Sequence, residues 1–75
     1  MLNAIYPDAM KYRDMERALT EHGCTFLRIR GSHHIWTCPC GQHRASIAPR
    51  KGIVSPGVVR DTIKKLTCLP EGWLQ

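Results

Sequence analysis

An alternation of aliphatic and arginine side chains constrains the fold of this chain most. Leu27 and Ile29 alternate with Arg28 and Arg30, and a period of two is typical of a strand with one apolar and one charged face. The pair Gly31-Ser32 follows at once, and such a pair forms the tight turn of a β-hairpin. We therefore predict a half-buried strand that carries an arginine face and leads directly into a second strand.

Two further segments predict the rest of the sheet. Residues 34–38 combine β-branched and aromatic side chains and form the second arm of the hairpin. A turn rich in proline and glycine follows, and residues 43–48 then form a third short strand that Pro49 ends. The sequence thus predicts three consecutive antiparallel strands.

The spacing of apolar residues predicts one helix before these strands in the sequence and one after them. The first runs from about Lys11 to Gly23, since glycine often ends helices in the left-handed conformation. Its apolar face is formed by Tyr12, Met15, Ala18, Leu19 and His22. The second begins with Ser55 as N-cap and Pro56 as first helical residue, and its apolar stripe is formed by Val59, Ile63 and Leu66. This order predicts an α+β fold, α-β-β-β-α, with both helices on one face of a three-stranded antiparallel sheet.

The length of the chain limits it to one such unit. A domain of 75 residues buries only about 60% of the surface that its unfolded chain exposes, which leaves room for one core. We expect residues 1–10 to form an irregular leader, because Tyr6-Pro7-Asp8 is typical of a turn. Residues 11–75 are expected to form the domain. Met10 is an alternative start of translation. No apolar run approaches the roughly 20 residues of a membrane span, and no export signal is evident, so we expect a cytoplasmic protein with reduced thiols.

Positive charge is concentrated in the middle of the chain. The net charge is +5, yet no carboxylate lies between Glu21 and Asp61. That stretch contains all four histidines and the cations Arg28, Arg30, Arg44, Arg50, Lys51 and Arg60. An anionic partner is implied: a nucleic acid, an acidic protein or a membrane surface. The interleaved rings of His33, His34 and Trp36 favour a nucleic acid, since rings stack on bases.

The histidines at the predicted turn could carry chemistry. Histidine both accepts and donates a proton near neutral pH, because its unperturbed pKa is about 6.5. RNA supplies its own nucleophile, the ribose 2′-hydroxyl, so a histidine and a few cations suffice for cleavage without a metal or cofactor. Strand alternation places His33 and His34 on opposite faces, so we expect only one of them to be catalytic. The alternative is that both are ordinary surface or core-capping histidines.

The block from Arg28 to Trp36, followed by Ala48-Pro49-Arg50 and the helix start Ser55-Pro56-Gly57, resembles the HicA family of mRNA interferase toxins. The resemblance covers residues 10 to about 69. It implies a fold similar to the double-stranded RNA-binding domain, metal-independent cleavage of mRNA, no cofactor, and a HicB-type antitoxin that covers the active site. The family's catalytic histidine follows its Gly-Ser pair, which corresponds to His33.

The resemblance and the charge pattern together predict the site. His33 is the catalytic residue and His34 the secondary candidate. Contacts to RNA are assigned to Arg28, Arg30, Ser32, Trp36, Arg44, Arg50 and Lys51. Many family members have a histidine where this chain has Lys51, and a lysine keeps the charge but cannot act as a base at neutral pH. The oligomeric state is left open. The alternatives are a non-catalytic RNA-binding module and a basic protein-interaction domain of the same fold.

A second group of residues raises the question of zinc. Cys38, Cys40 and His43 lie close together in sequence, but the two cysteines are closer than in the common zinc knuckle, where two to four residues separate them. A fourth ligand would have to come from Cys24, Cys68 or His34. We predict instead a turn without a metal, with Cys24 and Cys68 as core residues. Trp73 and Leu74 are expected to fold back onto the core.

Overall fold

The computed structural model describes residues 9–74. It contains the predicted two helices and three strands in the predicted order, and in addition two strands of two residues each that were not predicted. The elements are β1 (Met10–Lys11), α1 (Tyr12–Glu21), β2 (Thr25–Arg30), β3 (His33–Thr37), β4 (Arg44–Ile47), β5 (Ile53–Val54) and α2 (Pro56–Lys65). The α+β class and the three-stranded antiparallel sheet are therefore confirmed. Within the predicted leader, residues 1–8 lie outside the described part of the chain. Met10 belongs to a strand and packs against the core.

Two sheets form, and the larger one carries the hairpin. Strands β2, β3 and β4 pair antiparallel in that order, while β1 pairs with β5 in a separate two-stranded sheet. Arg30 and His33 face each other at the end of the β2–β3 ladder. Between them, Gly31 has a φ of +64°, a conformation that glycine adopts without steric cost. The predicted turn is therefore confirmed.

The core lies between the large sheet and the two helices. From α1 it receives Met15 and Leu19, and from α2 it receives Val59; all three side chains are buried. Trp36 and Ile47 point into the same core from the sheet, because alternate residues of a strand share a face. Both helices thus cover one face of the sheet, as predicted. None of the helices within residues 9–74 is long and apolar enough to cross a membrane.

The ends of the helices follow their local sequence signals. The Ser55 hydroxyl accepts a hydrogen bond from the Val58 amide at 3.4 Å, which confirms the predicted N-cap of α2. Gly23, two residues beyond α1, has a φ of +85°. The chain after α2 folds back as expected: Trp73 is buried with its ring centroid 6.0 Å from that of His22, and Leu74 packs beside it against the core.

Strand β2 departs from the sequence prediction. All six of its residues are exposed, and Ile29 keeps 56% of its surface accessible. Two features explain this. A bulge at Leu27 interrupts the register, so that Phe26 pairs with Trp36 and Arg28 with Ile35; and β2 is the edge strand of its sheet. The prediction that Leu27 and Ile29 are buried is wrong, because the helices do not cover this edge.

Candidate functional site

The sheet face opposite the helices carries a cluster of cations. Strand register places Arg28, Ile35 and Ser46 side by side on this face. They line a shallow depression of about 240 Å³. Its charged lining residues are Arg28, Arg30, Arg44 and Lys65. The three arginines were predicted from the sequence. Lys65 was missed, because it lies on α2 and reaches this face only through tertiary packing. Among residues 9–74, no carboxylate lines the depression. Lys65 also pairs with Asp61 at 3.2 Å, so the three arginines are the groups that favour an anion.

His33 lies at the border of this depression. It is exposed, it begins β3, and its Nδ1 atom is hydrogen-bonded to the Ser46 hydroxyl at 2.9 Å. A hydroxyl can donate to Nδ1 or accept from it, so Ser46 can support either neutral tautomer of the ring. The bond occupies Nδ1 and leaves Nε2 available to a ligand. Ser46 was not predicted, although its position two residues after Arg44 on a strand places it on the same face.

The other predicted catalytic candidate, His34, lies on the opposite face. Its half-buried ring packs against that of Tyr12, with 4.6 Å between the centroids, and against that of Phe26 at 6.1 Å. This confirms the prediction that the two histidines point to opposite sides. His34 is consequently not brought together with His33 or with the arginines.

Trp36 is also on the helix-covered face, and its predicted contact with RNA is wrong. Only 2% of its surface is exposed, and the indole N–H donates to the Tyr12 hydroxyl at 3.0 Å. A base cannot stack on a ring enclosed in this way. The cause is the alternation of side chains along a strand: position 36 lies on the same face of β3 as His34, opposite to His33.

The remaining predicted contacts divide between two places. Ser32 is exposed in the turn immediately before His33. Arg50 and Lys51 lie in a second turn, closed by reciprocal backbone hydrogen bonds between Arg50 and Ile53. Both are exposed, but they line other depressions than the one formed by Arg28, Arg30 and Arg44. The structure therefore groups three of the predicted arginines and leaves Arg50 and Lys51 apart.

The second turn allows a prediction about stability. Lys51 has a φ of +52° and Gly52 a φ of +80°, the combination for which an Asn-Gly pair is preferred. We expect Lys51→Asn to raise the free energy of unfolding by about 1 kcal/mol, because a left-handed backbone is strained for lysine. Urea denaturation measures the change. Lys51→Gln is the control, since it removes the same charge without relieving the strain. Equal stability of the two variants would contradict the explanation.

A separate cluster combines three thiols and an imidazole. Cys38, Cys40 and His43 come from the β3–β4 connection and Cys68 from the chain after α2, and their sulfur and nitrogen atoms all lie within 4.8 Å of one another. The Cys38 sulfur is 2.8 Å from that of Cys40 and 3.3 Å from the His43 Nδ1 atom. Cys68 is exposed, so its prediction as a core residue is wrong. Cys24 is 8% exposed and packs in the core, as predicted.

The cluster stabilises a negative charge on sulfur. Burial alone would raise the pKa of the Cys38 thiol, but hydrogen bonds from its three neighbours in the cluster outweigh burial and lower this pKa to about 5. The pKa of Cys68 is raised to about 11, because its thiol donates to Cys38 and is partly desolvated. The hydrogen-bond donors around Cys38 thus favour the thiolate form of its side chain over the thiol.

The fold and the two sites define a small α+β domain with a cationic sheet face and a separate thiol-rich cluster. The family model described as the HicA toxin of bacterial toxin-antitoxin matches residues 12–67. The chain belongs to this HicA toxin family, which confirms the resemblance noted in its sequence, and it is therefore a toxin of a toxin–antitoxin system with an antitoxin as partner. Comparisons with curated proteins and with solved structures gave no match.

Proposed function

We propose that this chain is an endoribonuclease that cleaves mRNA without a metal in the reaction, with His33 as the catalytic residue. One observation supports the proposal above all others: the hydrogen bond between Ser46 and His33 holds the imidazole at the border of the depression lined by Arg28, Arg30, Arg44 and Lys65. A polyanion bound in this depression would bring its phosphate groups beside the imidazole. Membership of the HicA family supports the same reaction.

The chemistry needs few groups because the substrate supplies the nucleophile. The Nε2 atom of His33 takes the proton of a ribose 2′-hydroxyl, and the resulting oxygen attacks the adjacent phosphorus. The bond from phosphorus to the 5′-oxygen breaks, and the departing oxygen takes a proton from water. The hydroxide left behind takes back the proton from the His33 imidazolium, which restores the neutral ring. The products are a 2′,3′-cyclic phosphate and a free 5′-hydroxyl. Arginines around the depression offset the charge that develops on the phosphoryl oxygens.

Ser46 acts in this scheme as a positioning residue. When His33 accepts a proton at Nε2, its Nδ1 atom must carry hydrogen, and the Ser46 oxygen accepts the bond from it. The imidazolium that forms keeps this bond. Ser46 thus orients the ring in both protonation states without contacting the substrate.

The same face is also our proposed binding surface for a HicB-type antitoxin. Its charge is positive and His33 lies at its edge, so an acidic antitoxin that covered it would block access of mRNA in the cytoplasm. Charge complementarity of this kind steers association and sets partner choice.

An RNA oligonucleotide that lacks the 2′-hydroxyl at the cleaved position tests the proposal. We expect the purified chain to cleave an RNA oligonucleotide with no divalent cation added, and to leave intact the same oligonucleotide carrying a 2′-deoxyribose at the cleaved position. Mass spectrometry of the products should detect a 2′,3′-cyclic phosphate. Cleavage of the deoxy substrate would refute attack by the 2′-hydroxyl. Binding of both oligonucleotides without cleavage of either would favour a non-catalytic RNA-binding module.

A further inference from the structure

The loop between β3 and β4 and the segment after α2 meet at a group of atoms suited to a metal ion. Cys38, Cys40 and His43 are three potential ligands from the connection formed by residues 38–43, and Cys68 is the fourth. We propose that Cys38, Cys40, His43 and Cys68 form a structural Zn²⁺ site with three sulfur ligands and one nitrogen ligand. This site lies outside the cationic face and has no part in the proposed cleavage.

The four ligand atoms are gathered close enough to surround one tetrahedral ion, with two of the pairs slightly closer together than such an ion would hold them. Zinc bonds to sulfur at about 2.3 Å and to nitrogen at about 2.0 Å, which places neighbouring ligand atoms about 3.5–3.8 Å apart. In this structure the distances are 2.8 Å between the sulfurs of Cys38 and Cys40 and 3.2 Å from Cys40 to the His43 Nδ1 atom. No pair among the four ligand atoms exceeds 4.8 Å. Small side-chain rotations therefore suffice to surround the ion.

The choice of donor atoms indicates which metal and which role. Thiolate sulfur and imidazole nitrogen are the ligands of structural zinc, whereas magnesium and calcium prefer oxygen. Four protein ligands complete a tetrahedral shell and leave no position for water or substrate. Catalytic zinc sites keep such a position open, so this donor set favours a structural ion.

Groups around the ligands hold them in place. The second ring nitrogen of His43, Nε2, lies 3.4 Å from the Thr67 hydroxyl, and Thr67 directly precedes Cys68. Ligating histidines characteristically use their other ring nitrogen in this way, which orients the ring toward the metal. The backbone amide of Gln42 points to the Cys40 sulfur at 3.4 Å. Gly41 has a φ of +77°, which lets the connection turn sharply between the ligands.

The proposed ion would join two parts of the domain that are distant in sequence. Cys38 directly continues β3, and Cys68 precedes the buried Trp73. Small domains bury little surface, and a structural metal is one of the ways in which they gain stability. His33 is the first residue of β3 and Cys38 directly follows the last one, which separates them by about 16 Å at 3.3 Å per residue. The ion would therefore hold the end of β3 that lies away from His33, and so stabilise the strand that carries this histidine.

Metal content tests the proposal directly. The full chain is purified under reducing conditions with no metal added, and zinc is counted by plasma mass spectrometry. We expect one zinc per chain in the parent protein and in Cys24→Ala, the matched control for a buried cysteine outside the cluster. Cys68→Ala should lower zinc affinity more than about 100-fold, because it removes a ligand. Thr67→Val should lower it about 10-fold, because it removes only the hydroxyl that orients the His43 ring.

A second readout does not depend on the variants folding. Cobalt chloride added to the metal-free parent chain should produce the visible absorption of tetrahedral cobalt bound to thiolates, and zinc chloride should abolish it. Absence of both zinc and this spectrum would overturn the proposal, as would an intact mass two hydrogens lower than expected, since a disulfide would then occupy two of the sulfurs. Equal zinc content in Cys68→Ala and Cys24→Ala would also overturn it. None of these measurements uses RNA, so their outcome is independent of the proposed nuclease activity.

Discussion

Replacing His33 by alanine is expected to lower the rate of RNA cleavage by about 10²–10⁴-fold, the usual contribution of a positioned acid–base group. RNA affinity should change little, because the cations around the depression remain in place. Stability should also be nearly unchanged, since His33 is exposed and makes one side-chain hydrogen bond, to Ser46. Single-turnover cleavage, RNA binding and urea denaturation measure the three quantities separately.

Two neighbouring variants serve as controls for this experiment. His34→Ala removes a half-buried ring that packs on Tyr12 and Phe26, so it should lower stability while the folded protein still cleaves RNA. Ser46→Ala removes the hydrogen-bond partner of His33 and should reduce the rate by less than the loss of the imidazole itself. A His33→Ala variant that cleaves as fast as the parent chain would refute the assigned role, whatever the other variants do.

Trp36→Ala is expected to lower the free energy of unfolding by about 3–5 kcal/mol, as truncation of a buried tryptophan does. A domain of 75 residues has a total of only about 4–11 kcal/mol at typical values per residue. The variant should therefore be largely unfolded or close to it. Urea denaturation or the thermal midpoint, followed by tryptophan fluorescence or circular dichroism, measures the loss.

The Trp36 experiment separates a core role from a role in RNA binding. Trp36→Phe keeps an aromatic ring in the core but loses the indole donor to Tyr12, so we expect a smaller loss of stability. Tyr12→Phe removes the acceptor and leaves the buried indole N–H unpaired, at a cost of about 1–3 kcal/mol. Both conservative variants should retain the RNA affinity of the parent chain, measured in the His33→Ala background. A stable Trp36→Phe variant with weakened RNA binding would contradict the structure.

Several predictions succeeded because their causes are local. The Gly31-Ser32 turn requires one positive φ, which glycine at that position supplies. The N-cap of α2 depends on Ser55 and the amide three residues later. The buried face of α1 and the opposite orientations of His33 and His34 follow from the periods of helix and strand. Each of these features involves residues close together in the chain.

The errors concern features that depend on the neighbours of an element. The alternation in β2 has the period of a half-buried strand, yet its burial depends on whether helices cover that edge, and they do not. Trp36 follows two histidines in a stretch of the sequence without carboxylates, but the register of β3 places it in the core. Cys68 is an ordinary small side chain until the chain after α2 brings it to the β3–β4 connection.

The sequence by itself determined the family, the order of helices and strands, and His33 as the leading catalytic candidate, because these rest on local motifs and short periods. Only the tertiary structure decided that Ser46 contacts His33, that Lys65 joins the arginines, and that Cys68 lies beside Cys38, Cys40 and His43. These pairs are separated by 13 or more positions in the chain. Their proximity depends on strand register and helix packing, which no local pattern specifies.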